Sequence, residues 1–511
     1  MAFLSASNRR FLTAVSNLVY ANPFLQDMMT YERDALGGEA SEEPAIWSMS
    51  VSDPDRVRVN TWRIMERLTQ ILKTLRGSLA AGVTATENDL LLYEDGLLYY
   101  FYYKHYQSLI LATFRQKGRD RDRWTFYRGF CDEWNYYFQI PHLQLPTCHQ
   151  ARHTFACYYQ VVRAFHHIFD QIIGNSQPAA RLRAAVWQSV FTHDTRRYRR
   201  TLYGRMSEFA TLITGPSGTG KELVARSIAM SRYVPFDENK LAFEEDLTRL
   251  FFPINIAALP GTLVESELFG HKRGAFTGAV QDKRGWLEAC PALGAVFLDE
   301  IGDLDPAIQV KLLRVIETRS FQAVGEGSAA LHHFEGKLIA ATNRNLERAI
   351  RRHAFREDLY YRLCSDQIAT PSLRRQIDES PDVLNDLILF MARRVAGGEA
   401  ESLALEAIDW VGKNLGAGYA WPGNYRELEQ CVRNILIRKD YQPHRSLPSL
   451  RNDIFTPART GDLTANELLS RYCALVYSQT GSYEETARRL QIDRRTVKAK
   501  IDAAKKADGG G

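Results

Sequence analysis

Apolar and polar positions follow different periods in different parts of the chain. Up to about residue 185, apolar and aromatic residues recur three or four positions apart, as at Leu97, Tyr100 and Phe101. This is the period of an amphipathic helix, so residues 1–185 are predicted to be mostly helical. The pattern there shows neither an internal repeat nor a catalytic motif.

Beyond residue 205 the pattern changes to short apolar runs that each end in polar residues. Three such runs are FATLITG, GAVFLDE and GKLIAATN, at 209–215, 294–300 and 336–343. Helical patterns separate the runs, and this alternation predicts an α/β fold with a parallel sheet. Ligands of such sheets bind at the carboxyl ends of the strands, where these polar residues stand.

The C-terminal part of the chain is helical in pattern but interrupted. Residues 376–440 have a helical period, and 463–506 form a second, smaller helical unit. The stretch between them, 438–462, is rich in proline, serine and charge, which is typical of a linker.

Composition narrows the class of protein only a little. The chain has 511 residues, a net charge of +5 and seven cysteines. The charge is too small to predict a nucleic-acid partner by itself, and scattered cysteines are typical of reduced thiols in a cytosol. The N-terminus lacks the apolar run of a signal peptide, and charged residues interrupt the most apolar stretch, 90–110. We therefore expect a soluble, cytoplasmic protein that does not contact a membrane.

A glycine-rich loop follows the first apolar run and opens a helical pattern. The glycines of GPSGTGK let backbone N–H groups turn toward phosphate oxygens, and the lysine reaches the terminal phosphates of a nucleotide. The serine or threonine that usually follows the lysine, and binds magnesium, is replaced by a glutamate. The predicted nucleotide-binding residues are Gly215, Pro216, Ser217, Gly218, Thr219, Gly220, Lys221 and Glu222.

Polar residues at the ends of the other two runs supply the chemistry that hydrolysis needs. Asp299 is placed to hold Mg²⁺, directly or through water, and Glu300 to polarise an attacking water. An acidic strand cap is the alternative for this pair, but beside a phosphate loop the catalytic interpretation is favoured. Asn343 either senses the γ-phosphate or forms a turn, and the residue alone does not decide between them.

The segment GHKRGAFTGAV places Phe276 and Thr277 between Gly274 and Gly278. These motifs together resemble the AAA+ ATPases, and ESELFGHKRGAFTGA (265–279) resembles the signature loop of the sigma-54-dependent transcription activators, the bacterial enhancer-binding proteins. The resemblance runs from about residue 205 to 437. It includes GPSGTGKE with its glutamate, FPINIAALP (252–260), FLDEIGDL, IAATNRNL, FREDLYYRL (355–363) and WPGNYRELEQ (421–430).

The resemblance implies a role for each matching residue. The loop Gly274, Ala275, Phe276, Thr277, Gly278 and Ala279 would contact the sigma factor, with Phe276 and Thr277 as its contact residues. Asn255 would be a switch that restrains Glu300, and Arg426 a sensor of the γ-phosphate. Arg356 and Arg362 would be arginine fingers acting on a neighbouring subunit's ATP, which implies a homo-oligomer, with a hexameric ring as the expected form. Without the surrounding motif, a basic helix face would be the simpler interpretation of these two arginines.

Two departures from the family pattern are visible. The acidic stretch SRYVPFDENKLAFEEDLTRLF, near 231–251, is longer than expected and is interpreted as a peripheral insertion. Ile256 stands where a cysteine is usual, and a change of packing is all that we expect from it.

The C-terminal unit has the spacing of a helix-turn-helix. In SYEETARRLQIDRRTVKAKIDAAKK (482–506), a helix with buried Ala487 and Leu490 is followed by a turn and a basic helix. This resembles the Fis-type domain of many enhancer-binding proteins, which implies binding to upstream enhancer DNA, with the preceding helix able to pair two subunits. A solvated basic helix is the alternative. The predicted DNA contacts are Arg494, Arg495, Thr496 and Lys498.

The N-terminal third carries no recognisable sensor pattern. Cys148, His149, His153 and Cys157 lie close together, but their spacing matches no standard zinc pattern, and buried helical residues are the favoured interpretation. Aromatic residues at 99–106 either line a ligand pocket or, as we favour, fill a core.

The predicted fold is a multidomain chain with an α/β AAA+ core, a parallel sheet and a helical lid. The domains are a mostly α regulatory or sensor domain (1–185), the ATPase subdomain (186–375), the lid (376–440), a linker (441–462) and an all-α helix-turn-helix (463–506). The predicted function is a sigma-54-dependent activator that uses ATP and Mg²⁺ to remodel the sigma-54 RNA polymerase holoenzyme, under control of an unknown signal. A DNA-binding repressor with a silent ATPase core, and an AAA+ remodeller of another protein, are the alternatives.

Overall fold

A computed structural model describes most of the chain in two compact units, Met1–Lys439 and Asp440–Gly511. Within its described part, none of the helices is long and apolar enough to cross a membrane. The residues that the structure describes are 3–43, 58–115, 124–147, 149–327, 330–443 and 464–508.

The N-terminal third of the first unit is helical, as its sequence period predicts. The helices begin at local capping residues: the side chain of Ser5 accepts the N–H of Asn8, and that of Thr86 accepts the N–H of Asp89. The helices are α1 (Ala6–Tyr20), α2 (Asp27–Leu36), α3 (Val59–Ala80), α4 (Glu87–Ile110), α5 (Tyr127–Phe138), α6 (Ala151–Gln171) and α7 (Gln177–Phe191).

Aromatic rings form much of the core of these helices. The ring centroid of Phe101 lies 5.4 Å from that of Phe130 and 5.2 Å from that of Trp134. Such edge and tilted contacts stabilise a core beyond the area they bury. Core packing therefore explains Phe101, but the neighbouring tyrosines line a cavity that is described below.

A five-stranded sheet forms the centre of the first unit, and all of its strand pairs are parallel. The strand order is β4-β5-β8-β1-β9, so β8 lies between the strand before the phosphate loop and the strand that ends in Asp299. The predicted α/β core with a parallel sheet is confirmed. The sheet strands are β1 (Thr211–Thr214), β4 (Phe251–Asn255), β5 (Ala295–Asp299), β8 (Lys337–Thr342) and β9 (Asp366–Ala369), and two short hairpins pair β2 (Phe236–Asp237) with β3 (Ala242–Phe243) and β6 (Ser320–Phe321) with β7 (His332–His333).

Helices cover the sheet and then form the helical segment that was predicted as a lid. The helices between the strands are α8 (Lys221–Met230), α9 (Gly261–Phe269), α10 (Trp286–Ala289), α11 (Pro306–Thr318), α12 (Leu346–Arg351) and α13 (Glu357–Leu363). After the sheet come α14 (Leu373–Glu379), α15 (Val383–Ala396), α16 (Ala400–Asn414) and α17 (Asn424–Arg438).

Two of the predicted domain boundaries fall inside helices. The boundary at 185/186 cuts α7, and the boundary at 375/376 cuts α14. One hydrophobic core contains both Trp187 of α7 and Ile213 of β1, so the N-terminal helices and the sheet are packed together rather than joined by a linker.

The acidic stretch near 231–251 is not a peripheral insertion, contrary to the expectation from its composition. It contains the β2–β3 hairpin, and Phe236 of β2 is only 2% exposed. The Phe236 ring lies 4.6 Å from that of Tyr127 and 4.9 Å from that of Phe155, both on N-terminal helices. Its apolar residues are therefore part of the N-terminal core, while the carboxylates of Glu238, Glu244 and Glu245 are exposed.

In its described part the second unit contains three helices, in the region where the sequence predicts a helix-turn-helix and one preceding helix. Its small core is formed by Cys473, Val497 and Ile501. Ala487 and Leu490, which were predicted to be buried, are only partly buried, and Thr486 is the fully buried residue of the middle helix. The helices are α18 (Ala465–Thr480), α19 (Tyr483–Leu490) and α20 (Arg494–Asp508).

The hairpin contact gives a testable prediction of stability. Phe236→Ala should lower the free energy of unfolding of the first unit by about 3–5 kcal/mol, because it leaves a cavity between the hairpin and the N-terminal helices. Urea unfolding followed by tryptophan fluorescence measures the change. The matched control is Phe209→Ala, since Phe209 is 42% exposed; equal losses in the two variants would contradict the assigned packing.

Candidate functional site

The glycine-rich loop has the backbone shape that its sequence predicts. Gly215, Gly218 and Gly220 all have positive φ, at 151°, 76° and 86°. A Cβ at Gly215 would lie 2.1 Å from the hydroxyl oxygen of Thr370, and that hydroxyl is also 2.7 Å from the hydroxyl of Thr219. Thr370, the residue after β9, therefore packs against the phosphate loop and supports it. Nothing in the sequence indicated this contact.

Lys221 begins helix α8 directly after the loop, and its ammonium group lies at the sheet edge. The Nζ donates to the carbonyl oxygens of Gly215 and Pro216, at 3.1 and 3.3 Å, and lies 4.0 Å from Oε1 of Glu300. Burial lowers the pKa of Lys221, and the nearby carboxylates of Glu300 and Asp299 act in the opposite direction. The cation is therefore partly desolvated, which strengthens its attraction for phosphate oxygens.

The two predicted carboxylates stand together at the end of β5. Burial raises the pKa of Asp299, and repulsion from Glu300 adds to this effect. The Oε2 of Glu300 accepts the backbone N–H of Asn343 at 3.1 Å. Since β8 lies next to β5, the sheet order brings Asp299, Glu300 and Asn343 to one edge, as the sequence predicted.

The lid is packed directly on the phosphate loop. A Cβ at Gly218 would lie only 2.2 Å from the carbonyl oxygen of Gly423. The backbone N–H of Tyr425 donates to the Gly218 carbonyl at 3.1 Å, and the side chain of Asn424 donates to the Ser217 carbonyl at 2.9 Å. The sequence motif WPGNYR therefore carries a structural function that its residue types did not reveal: it seats the lid on the loop.

A cleft of about 470 Å³ joins these residues. Asn255, Asp299, Glu300 and Arg426 line it together with residues 217–224, which are the end of the phosphate loop and the first turn of α8. In this structure Asn255 is an exposed residue at the end of β4, next to Asp299 in the sheet register. The N-terminal helices also contribute to the cleft wall, a contribution that sequence reasoning missed, through Gln171, Ile172, Ile173, Ala179 and Leu182.

The two candidate arginine fingers lie outside the cleft of their own chain. The guanidinium of Arg356 forms a two-point contact with Asp358, at 3.0 and 2.6 Å, and Arg362 contacts Glu317 at 3.1 Å. Both side chains are about half exposed or more. Exposed ion pairs of this kind contribute little to stability, so both arginines are free to exchange partners.

The GAFTGA loop is closed at its base by backbone hydrogen bonds. His271 and Lys283 exchange two bonds of 2.9 Å, and within the loop the Gly274 N–H donates to the Ala279 carbonyl at 2.9 Å. The Phe276 ring packs edge-on against the ring of His271, 4.9 Å away, whereas Thr277 is exposed. The structure therefore shows the aromatic residue folded back on the loop base rather than projecting from it.

The predicted DNA-contacting residues lie together at the start of α20. Asp493 accepts the N–H groups of Arg495 and Thr496, at 2.8 and 3.0 Å, so the helix start is capped. Arg494 contacts Glu484 at 2.9 Å, and Arg494, Arg495 and Lys498 are exposed.

The cysteine and histidine cluster shows no ligand set in the described residues. Cys148 lies outside them. His153 is bonded through its two ring nitrogens to the hydroxyl of Tyr233, at 2.9 Å, and to the carbonyl of Arg199, at 2.7 Å. Burial lowers the pKa of His149 to about 3 and raises that of Cys157 to about 11. Among the described residues, no group of three or more metal-binding side chains is present.

The close approach of lid and loop gives a second prediction. Gly218→Ala should weaken nucleotide binding by about tenfold or more, or about 1.4 kcal/mol, because the added methyl group forces Gly423 away from the loop. Titration with a fluorescent ATP analogue measures the affinity. The control is Gly82→Ala, since Gly82 has a similar φ of 83° but no heavy atom within 4 Å of the added Cβ. Unchanged affinity in Gly218→Ala would contradict the role of this contact.

Comparisons with known proteins address the same region. The family model described as "Sigma-54 interaction domain" matches residues 192–369. The Nif-specific regulatory protein of Enterobacter agglomerans is 37% identical over 272 residues, which are 53% of this chain and 45% of that protein. The transcriptional regulatory protein ZraR of Klebsiella oxytoca is 37% identical over 302 residues, 58% of this chain and 63% of that protein.

The similarity is partial in length. The chain spans less than two thirds of the length of these curated relatives. Among solved structures, NtrX from Brucella abortus aligns with a TM-score of 0.38 and 22% identity over 71% of this chain and 76% of that one, a likeness too weak to bear on the site. The phosphate loop, Asp299, Glu300 and the GAFTGA loop all fall inside the matched domain. Over that domain, the chain is similar to regulatory proteins that carry a sigma-54 interaction domain.

Proposed function

We propose that this chain is an ATPase that remodels the sigma-54 RNA polymerase holoenzyme at promoters. The observation that carries the proposal is that the phosphate loop and the acidic pair meet at one sheet edge, inside a domain whose family interacts with sigma-54. A silent ATPase core would be expected to have lost one of these groups. The repressor alternative is therefore disfavoured.

The chemistry proposed for this edge is Mg²⁺-assisted hydrolysis of ATP. Lys221 would bind the terminal phosphates, and Glu300 would orient and polarise the attacking water. The hard carboxylate oxygen of Asp299, partly buried in the cleft, fits Mg²⁺, which binds proteins through one or two carboxylates plus phosphates and water. Glu222 does not supply the hydroxyl ligand that most phosphate loops offer, so Asp299 is the main protein ligand in this proposal.

Completion of the site would require a second subunit. Arg356 and Arg362 are exposed and lie outside their own cleft. An arginine supplied by a neighbour can raise the rate of phosphoryl transfer by about 10³ to 10⁵. We therefore propose a ring, with six subunits as the expected number, in which each chain contributes both arginines to the next chain's ATP. Arg426 on the lid and Asn343 on the sheet would sense the γ-phosphate, and Asn255 would restrain Glu300 in another nucleotide state.

The GAFTGA loop would transmit the nucleotide state to the sigma factor. Gly274 and Gly278 have φ values of 82° and 103°, and both have open space where a Cβ would stand. They are therefore needed for the turn rather than for close packing. In the proposed cycle the loop rises and Phe276 leaves His271 to contact the sigma factor. The alternative target, a different remodelled protein, is disfavoured because the matched domain is defined by sigma-54 interaction.

The second unit would hold the protein on upstream enhancer DNA. The exposed arginines at the start of α20 occupy the positions from which a recognition helix reaches base edges in the major groove. Arg494, Arg495, Thr496 and Lys498 are the proposed contacts, and a dimer would read a palindromic site.

Loss of the loop's aromatic ring should uncouple hydrolysis from promoter opening. Phe276→Ala should keep ATP turnover and lose open-complex formation, since the ring lies outside the nucleotide cleft. Turnover is measured by phosphate release, and opening by permanganate footprinting of a sigma-54 promoter. The control is Val280→Ala, directly after the loop and 81% exposed; it should keep both activities. Full promoter opening by Phe276→Ala would contradict the assignment of the loop.

A mixing experiment tests whether the arginines act between subunits. Lys221→Ala and Arg356→Ala should each be inactive alone, but their mixture should regain turnover, because a Lys221→Ala subunit can supply its intact Arg356 to a neighbour. A mixture of Lys221→Ala with Asp299→Ala serves as the control, since every cleft in it is damaged. Equal recovery in both mixtures, or none in either, would count against fingers supplied by a neighbour.

A further inference from the structure

A cavity of about 170 Å³ lies within the N-terminal helices. Residues of α1, α2, α3, α4, α6 and α7 line it, together with the helical turn that follows α7. Engineered protein cavities of about 150 Å³ bind benzene, so this one has room for a single ring with a small substituent.

Ten flat aromatic side chains line this cavity. The rings of Tyr102 and Tyr158 lie 5.5 Å apart, and those of Tyr99 and Tyr103 lie 4.5 Å apart. A wall of this kind favours a planar guest, because aromatic rings attract one another in offset and edge-on arrangements. The lining aromatic residues are Tyr99, Tyr102, Tyr103, Tyr106, Tyr158, Phe165, Phe169, Trp187, Phe191 and Tyr198.

The two arginines on the wall differ in how closely a carboxylate approaches them within the described residues. Arg58 is paired with Glu32 at 2.9 Å and with Glu43 at 3.3 Å. Arg199, by contrast, forms no ion pair within 4.0 Å among the described residues; burial opposes its charge, but more distant groups, Asp95 among them, raise its pKa. A guanidinium beside an apolar cavity is a favourable partner for an anion, because the low local dielectric strengthens their attraction.

A second donor on the wall points to the same chemistry. The indole N–H of Trp187 is buried and has no hydrogen-bond acceptor among the residues that the structure describes. A buried donor without a partner costs free energy, so an acceptor on a bound molecule would be stabilising. An acceptor on a bound molecule would satisfy the indole donor, and a negative charge on that molecule would be attracted to the Arg199 guanidinium.

We propose that this cavity binds a small planar organic anion, namely one aromatic ring that carries a carboxylate or a comparable acidic group. The rings of the wall would enclose the guest, and Arg199 would compensate its charge. The binding step does not depend on the proposed ATPase function.

A direct route connects the cavity wall with the helix that follows the phosphate loop. The side-chain amide of Gln160 on α6 donates to the hydroxyl of Tyr198 on the wall, at 2.6 Å, and to the carbonyl of Ser231 at the end of α8, at 2.9 Å. The hydroxyl of Ser227 on α8 also donates to the carbonyl of His167 on α6, at 3.3 Å. Since α6 forms part of the cavity wall and contacts α8, occupancy of the cavity would change ATP turnover; this part of the inference rests on the proposed function.

Isothermal titration calorimetry of the full chain with benzoate tests the site. We expect one benzoate per chain, with tighter binding than benzyl alcohol, which lacks the charge, and cyclohexanecarboxylate, which lacks the flat ring. Absence of benzoate binding would overturn the proposal. Equal affinity for benzyl alcohol would overturn the anionic class of ligand, and equal affinity for cyclohexanecarboxylate would overturn the planar class.

Two variants locate the binding in the cavity. Val161 lines the cavity and is partly buried, so Val161→Phe should fill part of the space and weaken benzoate binding by about tenfold or more. Val83→Phe is the matched control, because Val83 is exposed and lies outside the wall. Arg199→Met should reduce benzoate affinity to that of benzyl alcohol, and Arg199→Lys should restore part of it. Unchanged affinity in Val161→Phe contradicts the location even if the Arg199 variants fail to fold.

ATP turnover with and without benzoate tests the route to α8. A change of turnover in the parent chain that disappears in Val161→Phe supports the route. Benzoate binding with unchanged turnover overturns the route but leaves the site intact. An inactive chain that still binds benzoate would instead contradict the proposed ATPase function.

Discussion

The packing of helix α8 against two different partners is the contact on which the rest of the structure depends. One side of α8 packs on the sheet, and the other packs on α6 and α7 of the N-terminal helices, within one hydrophobic core. Lys221 and the glycines of the phosphate loop stand at the start of this helix, so their positions are fixed from both sides. We therefore expect a movement of the N-terminal helices to reach the nucleotide cleft, because close-packed cores transmit displacement.

The electrostatics of the cleft follow from the order of the strands. Parallel strands deliver Lys221, Asp299 and Glu300 to one edge, where burial raises the pKa of Asp299 and lowers that of Lys221. Each pKa shift disfavours the charged form of the residue. The charge of Lys221 partly offsets the shift of Asp299, and the charges of Glu300 and Asp299 partly offset that of Lys221. Partly buried ionisable groups with shifted pKa values are found mainly at functional sites, so Lys221 and Asp299 favour a functional nucleotide site over one that has lost its function.

Much of this site could be predicted from local sequence. The apolar runs at 209–215, 294–300 and 336–343 became β1, β5 and β8, because a short apolar run between helical patterns has few other places in an α/β fold. The stretch that contains the β2–β3 hairpin was wrongly predicted to be peripheral. Strands of two residues have no measurable period, and the charged residues around Phe236 made the stretch look exposed. The boundary at 185 was also misplaced, since α7 continues through it without a change in composition.

The sequence by itself determined where the candidate chemistry lies, because the phosphate loop, the acidic pair and the GAFTGA loop are each local motifs. The residue types of the first two predict a nucleotide site, and the resemblance to a family predicts the role of the third. The tertiary structure alone decided which distant residues complete them. Three contacts join residues that are far apart in the chain: the lid packs on Gly218, Thr370 supports the phosphate loop, and residues 171–173 line the cleft. The aromatic cavity and the hydrogen bonds of Gln160 also join residues that are far apart in the chain. Periodicity reports which face of a helix is buried, but it does not report what that face is buried against.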